Sequence, residues 1–129
     1  MAKIIDNTQD VLSEVDKRIS SNLKESSLLV ERTAKQIVKV KTGTLKRSIL
    51  SNWYGAKGTR STSWKANKKG RKAGKTEIEA SVKKEAIIGT NIEYAPYVEL
   101  GTSKMSARAF LRPAMEANMK EIRRIFRAR

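Results

Sequence analysis

The chain holds neither histidine nor cysteine, so any chemistry it does must come from Asp, Glu, Lys, Arg, Ser, Thr and Tyr. This removes the usual near-neutral proton shuttle, the commonest nitrogen ligand for zinc or copper, the thiolate nucleophile and any disulfide. No grouping of the remaining types reads as a nucleophile with its base or as a metal ligand set. The expectation is a protein that is not an enzyme, with no metal, no cofactor and no small-molecule substrate. One stretch imitates a phosphate-binding loop: Gly70-Arg-Lys-Ala-Gly74-Lys75-Thr76. That motif needs four residues between its glycines, a strand before it and a helix after it. Here there are three residues, and the flanking segments both read as strands, so nucleotide binding is rejected.

Two other stretches carry types that recognise partners. Between Ala56 and Lys75 stand Lys57, Arg60, Lys65, Lys68, Lys69, Arg71, Lys72 and Lys75 with no acidic residue, which places eight charges of the +15 total in one segment. Rich in Gly, Ser and Asn, it cannot build a core and reads as a long, mobile hairpin loop. Lysines and arginines so arranged displace counterions from phosphates, and Trp64 offers a face for stacking, so the segment fits DNA or an acidic partner. A solvated basic loop with no ligand fits it equally.

The second stretch runs from Ile92 to Pro113 and holds both prolines and two of the three tyrosines. It has no clean period of two or 3.6. Pro96 fixes its own φ and disfavours a helical Ala95, and Gly101 permits a turn, so the stretch reads as a shaped connection. Aromatic and arginine side chains of this kind are enriched at interface centres. Tyr94, Tyr97, Phe110 and Arg112 are the candidate packing or subunit-contact residues, with Thr102 beside them. Glu99 and Arg108 are the candidate charge partners, and Pro96, Gly101 and Pro113 set the shape.

The elements around these stretches follow from periodicity. Leu12, Val15, Ile19, Leu23, Val30, Ala34 and Ile37 recur at steps of three and four, which predicts a long amphipathic helix over 8–40. Gly43 ends it, and Thr42 or Thr44 caps a short helix over 44–50 with Leu45, Ile49 and Leu50 inward. Ser51 to Gly55 reads as a strand with Trp53 at the core or its seam. Ile78, Ala80 and Val82 alternate in a half-buried strand, and a turn at 83–85 predicts a hairpin with the strand 85–90. A closing helix over 113–127 has Pro113 in its first turn and Met115, Met119, Ile122 and Phe126 as its apolar stripe. The whole predicts one α+β domain over 1–129: the first and last helices pack on a small, mainly antiparallel sheet of three to four strands with a basic hairpin loop at 56–75 and a shaped loop at 91–112. The opening residues lack the apolar run of a signal peptide, and no 18 apolar residues stand together. No membrane is expected.

Three pieces in order carry a family resemblance: Thr42-Gly-Thr-Leu-Lys-Arg-Ser-Ile49, then Ile88-Gly-Thr-Asn-Ile-Glu-Tyr-Ala-Pro-Tyr-Val-Glu-Leu-Gly-Thr102, then Met105-Ser-Ala-Arg-Ala-Phe-Leu-Arg-Pro-Ala114. Together they resemble the small tail-component family of long-tailed bacteriophages, the neck or head-tail joining proteins also called tail completion proteins. Ser106 and Ala109 stand where that family often carries proline. The resemblance implies an α+β structural virion protein that assembles in the host cytoplasm as a homo-oligomeric ring, a hexamer or dodecamer, at the head-tail junction. Its implied partners are copies of itself and the neighbouring connector and tail proteins; the acid-free basic segment, facing the ring's lumen, adds DNA in the neck channel as a partner to expect. A small basic nucleic-acid-binding protein is the alternative that charge alone would suggest, but it leaves the Tyr94-Ala-Pro-Tyr97 region unexplained.

Overall fold

The computed structural model describes residues 8–38, 44–66, 68, 72–103 and 106–127. Helix α1 spans Thr8–Ile37, with Asp10 in its first turn and Lys35 in its last, both matched to the helix dipole. Gly43 and Thr42 lie outside the described residues. The apolar stripe divides the helix in two. Val30 and Ala34 are buried, whereas Val11, Leu12 and Val15 are 51%, 55% and 43% exposed. Helix α1 also buries polar groups, Asn22, Ser26, Ser27 and Glu31. The Glu31 carboxylate accepts from Ser51 Oγ at 3.2 Å and faces Arg60 Nη1 at 3.7 Å and Lys35 Nζ at 3.9 Å.

Helix α2, Thr44–Ser48, turns the chain into strand β1, Leu50–Trp53. Strand β2, Arg60–Trp64, and strand β3, Gly74–Ile78, lie within and just beyond the segment read as a basic loop. They pair antiparallel, Arg60 opposite Ile78 and Trp64 opposite Gly74, so a formed hairpin replaces part of the expected mobile loop. Strand β4, Ala86–Gly89, pairs antiparallel with β1, Leu50 opposite Gly89 and Trp53 opposite Ala86. The expected hairpin between the strands at 76–82 and 85–90 is therefore incorrect. The strand at 76 ends at Ile78, and Val82 is 91% exposed. Among the described residues the strands form two two-stranded sheets, β1-β4 and β2-β3. The side chain of Asn52 joins them: its Nδ2 donates to Gly58 O at 3.0 Å and Ile78 O at 2.9 Å, satisfying carbonyls that a continuous ladder would otherwise take.

The shaped connection contains a short helix, α3, Ala95–Leu100. Ala95 opens it in spite of the proline that follows, and Pro96 sits in the first turn, where its missing N–H costs nothing. The closing helix is broken in two: α4, Leu111–Ala117, and α5, Met119–Arg127. At the break Asn118 Nδ2 donates to Thr33 Oγ1 on α1 and to Ala114 O, both at 2.8 Å. This tie diverts the predicted stripe: Ala114 and Ile125 are buried, while Met115 and Phe126 are 48% and 40% exposed. The core gathers Val30, Ala34, Leu45, Ile49, Ile92, Ala95, Phe110 and Ala114, with Trp64, Ile88, Val98 and Ile122 at its margin. The architecture is α+β, with a long N-terminal helix, C-terminal helices and small antiparallel sheets.

Candidate interaction surface

Helix α3 is held at both ends by backbone geometry. Tyr94 O accepts from Tyr97 N and Val98 N, each at 3.2 Å, and Gly101, at φ +79°, donates its N–H to Tyr97 O at 2.8 Å. A positive φ is disfavoured for residues with a Cβ, so Gly101 fixes the exit of the helix. The connection then folds back, and Arg108 N donates to Val98 O at 2.7 Å.

The next helix start lacks a cap of its own, because Phe110 occupies the N-cap position and has no side-chain acceptor. Glu99 supplies it from a distance. Its Oε2 accepts from Phe110 N at 2.8 Å and Leu111 N at 3.1 Å, and its Oε1 accepts from Arg112 N at 3.1 Å. One carboxylate thus satisfies three N–H groups that a helix leaves open, at the end where the dipole favours negative charge. Glu99 was expected as a charge partner of Arg108. The structure commits it instead to the start of α4.

The same corner joins the other sequence pieces. Ser48 Oγ donates to Leu45 O at 2.7 Å and lies 2.6 Å from Thr90 Oγ1, so Thr90 is the donor in that second contact. Asn91 N donates to Thr76 Oγ1 at 3.0 Å, and Asn91 Nδ2 to Lys75 O at 3.3 Å. Hydrogen bonds therefore run from α2 to the turn before α3, and from α3 to the start of α4.

On this corner the expected residues divide. Phe110 is 1% exposed and belongs to the core, with Tyr94 packed against its edge. Tyr97 is 58% exposed, and Leu100, which the sequence did not single out, is 79% exposed. Pro96, Thr102, Arg108 and Arg112 are also at the surface, and Pro113 is half-buried. Arg112 Nε donates to Glu116 Oε1 at 3.2 Å, an exposed pair within α4. The outward face of the corner is thus Pro96, Tyr97, Leu100, Arg108 and Arg112.

The basic segment divides too. Arg60 is not part of a free arm: Nη1 donates to Ser51 O at 2.7 Å, faces Glu31, and the guanidinium carbon lies 5.4 Å from the Trp53 ring centre. Lys24 Nζ lies 5.9 Å from the same ring, so Trp53 is bordered by two cations at the seam. Trp64 packs at the edge of the core, and its Nε1 donates to Lys72 O at 3.1 Å. A Cβ on Gly74 would come within 2.8 Å of that indole, so the ring lies flat on the glycine that faces it across the hairpin. Trp64 closes the hairpin with one face of its ring against Gly74. Lys75 Nζ pairs with Glu77 at 3.2 Å. Lys57, Lys65, Lys68 and Lys72 are exposed, and Lys69 and Arg71 lie outside the described residues.

Among the described residues no three acidic side chains gather closely enough to hold a metal ion, and no helix is long and apolar enough to cross a membrane. Comparison with protein-family models, with curated proteins and with solved structures finds no match to this chain.

Proposed function

We propose that this chain is a structural virion protein of a long-tailed phage, a ring subunit that joins or completes the tail at the junction with the head. The observation that carries this reading is the way the resemblant pieces meet. Ser48 and Thr90 link the first to the second, and Glu99 links the second to the third through Phe110, Leu111 and Arg112. Residues that are far apart in sequence therefore build one braced corner, and its outward face carries Tyr97, Leu100, Arg108 and Arg112. A large aromatic, a leucine and two arginines on a rigid support make a surface suited to a neighbouring protein. Such a surface does not need catalytic groups.

The basic hairpin serves the same reading as a lumenal contact to DNA in the neck. Among the described residues Lys57, Lys65, Lys68, Lys72 and Lys75 are its exposed cations. With the Arg60 guanidinium and one face of Trp64 packed inside the chain, the hairpin offers phosphate contacts more than a base-stacking platform, which favours a channel lining over a dedicated nucleic-acid reader.

The test is a phage carrying a stop codon in the gene for this chain, complemented by the wild-type chain or by Tyr97→Ala/Leu100→Asp. Loss of the chain is expected to leave filled heads and finished tails unjoined, with rescue by the wild-type chain and not by the double variant. Normal virions without the chain would overturn the reading.

A further inference from the structure

Two apolar surfaces of this chain lie apart and are largely open to solvent. The first is the leading half of α1, where residues 9–15 are all exposed and Val11, Leu12 and Val15 continue the buried stripe beyond the end of the domain's core. Leu12 borders an open cleft with Trp53, Tyr54 and Lys57, but a helical stretch this exposed that carries a stripe of large aliphatic residues has the pattern of a partner-binding helix. The second is a groove of about 250 Å³ between α1, β4 and the two C-terminal helices, lined by Leu23, Val30, Ile87, Met115, Ile122 and Phe126. Ser26, whose buried hydroxyl has no partner among the described residues, also lines it.

Their charges are opposite. Residues 8–16 hold Asp10, Glu14 and Asp16 and no cation, in a chain that is otherwise strongly basic. Helix α5, whose Ile122 and Phe126 line the groove, carries Lys120, Arg123, Arg124 and Arg127 together on its outer side, against the single carboxylate of Glu121. The present ion pairs of these groups are exposed, Glu14 with Arg18 at 3.6 Å, Asp16 with Lys84 at 3.4 Å and Glu121 with Arg124, and Asp16 also accepts from the Tyr54 hydroxyl at 3.3 Å. Surface pairs of this kind exchange at little cost.

From this, and resting on the ring reading above, we infer that the first two turns of α1 from one copy dock in the α1-β4-α5 groove of the next, apolar stripe inward and carboxylates toward the α5 cations. A chain cannot fill its own groove this way, because Leu12 and Ser26 lie about 21 Å apart along one straight helix. The two patches differ, so the contact is head-to-tail and repeats until the rotation closes a ring.

The chain has no native cysteine, so single introduced thiols report the contact directly. Leu12→Cys and Phe126→Cys full-length proteins are mixed under mild oxidation, and the oligomer is sized by native mass spectrometry. The expected result is a closed oligomer whose disulfides join Cys at 12 of one copy to Cys at 126 of another, formed only weakly by either variant alone. Leu12→Asp, at an exposed site, is expected to abolish the oligomer with helix content unchanged. A ring that persists in Leu12→Asp, or a Leu12→Cys protein that links mainly to itself, overturns this docking and leaves the ring reading standing. A wild-type chain that stays monomeric at every concentration reached overturns both.

Discussion

Replacing Glu99 by alanine removes one side chain and exposes three backbone donors. Phe110 N and Leu111 N are partly shielded, and Arg112 N is at the surface, so water can replace the carboxylate fully at only one of them. Loss of a helix-capping side chain costs about 1 kcal/mol. Hydrogen bonds to a charged acceptor are worth about 1.5–3 kcal/mol each where they are sheltered, but they share one carboxylate and do not add. The expected loss is about 2–3 kcal/mol for Glu99→Ala, with Glu99→Gln intermediate because one acceptor oxygen remains. At this chain length that corresponds to a fall in Tm of about 8–12 °C. Arg108→Ala separates this role from a surface ion pair: its side chain is exposed, and the change is expected to stay within about 0.5 kcal/mol. Urea denaturation of the three variants and the wild type, read by far-ultraviolet circular dichroism, gives the comparison. Equal losses for Glu99→Ala and Arg108→Ala, or none for Glu99→Ala, would refute the bracing of α4 by Glu99.

Other positions give independent checks. Gly55 sits at φ +86°, and a Cβ there would meet Ser20 Oγ at 2.2 Å, so Gly55→Ala is expected to cost about 2 kcal/mol in urea denaturation, only partly recovered by Ser20→Gly. Arg60→Gln is expected to destabilise by about 1–3 kcal/mol because Glu31 loses a partner while staying buried, whereas Lys68→Gln leaves the urea midpoint unchanged. If the exposed hairpin lysines touch DNA, replacing Lys57, Lys65, Lys68 and Lys72 by Gln lowers the salt-dependence slope of duplex binding by about 0.9 for each lost phosphate contact; an unchanged slope removes the lumenal role. The hydrogen bond from Arg124 holds the exposed Glu121 carboxyl below the usual glutamate range. Its small stabilising contribution is therefore present above the ordinary carboxyl pKa and lost as pH falls through the lowered one. An NMR titration is expected to show Glu121 moving up in Arg124→Gln, and no movement contradicts the pairing.

Much of this architecture is readable from periodicity. The three- and four-residue steps of α1 reveal a helix, but spacing alone does not say which turns have a partner, so the exposure of Val11, Leu12 and Val15 is not visible in it. Strand β2 escaped because its inward positions are Arg60, Thr62 and Trp64, none an aliphatic residue, in a segment whose charge suggests a loop. The break at Asn118 depends on a contact with Thr33, 85 residues away, which no local signal carries. At the corner, Pro96 and Gly101 were legible as shape-setting residues, yet Pro followed by Gly fits the two ends of a short helix as well as a loop. Glu99 had a signal that was available: a helix starting after Phe110 has no local cap, so an acceptor must come from elsewhere.

The central claim concerns place in an assembly, and locating the chain in a virion tests it most directly. In particles of a phage that encodes it, a small tag on the wild-type chain, imaged by electron cryomicroscopy with symmetry applied at the neck, is expected to give a ring of tag density between the portal vertex and the tail tube. Tag density elsewhere on the particle, or particles that lack the chain altogether, would contradict the account.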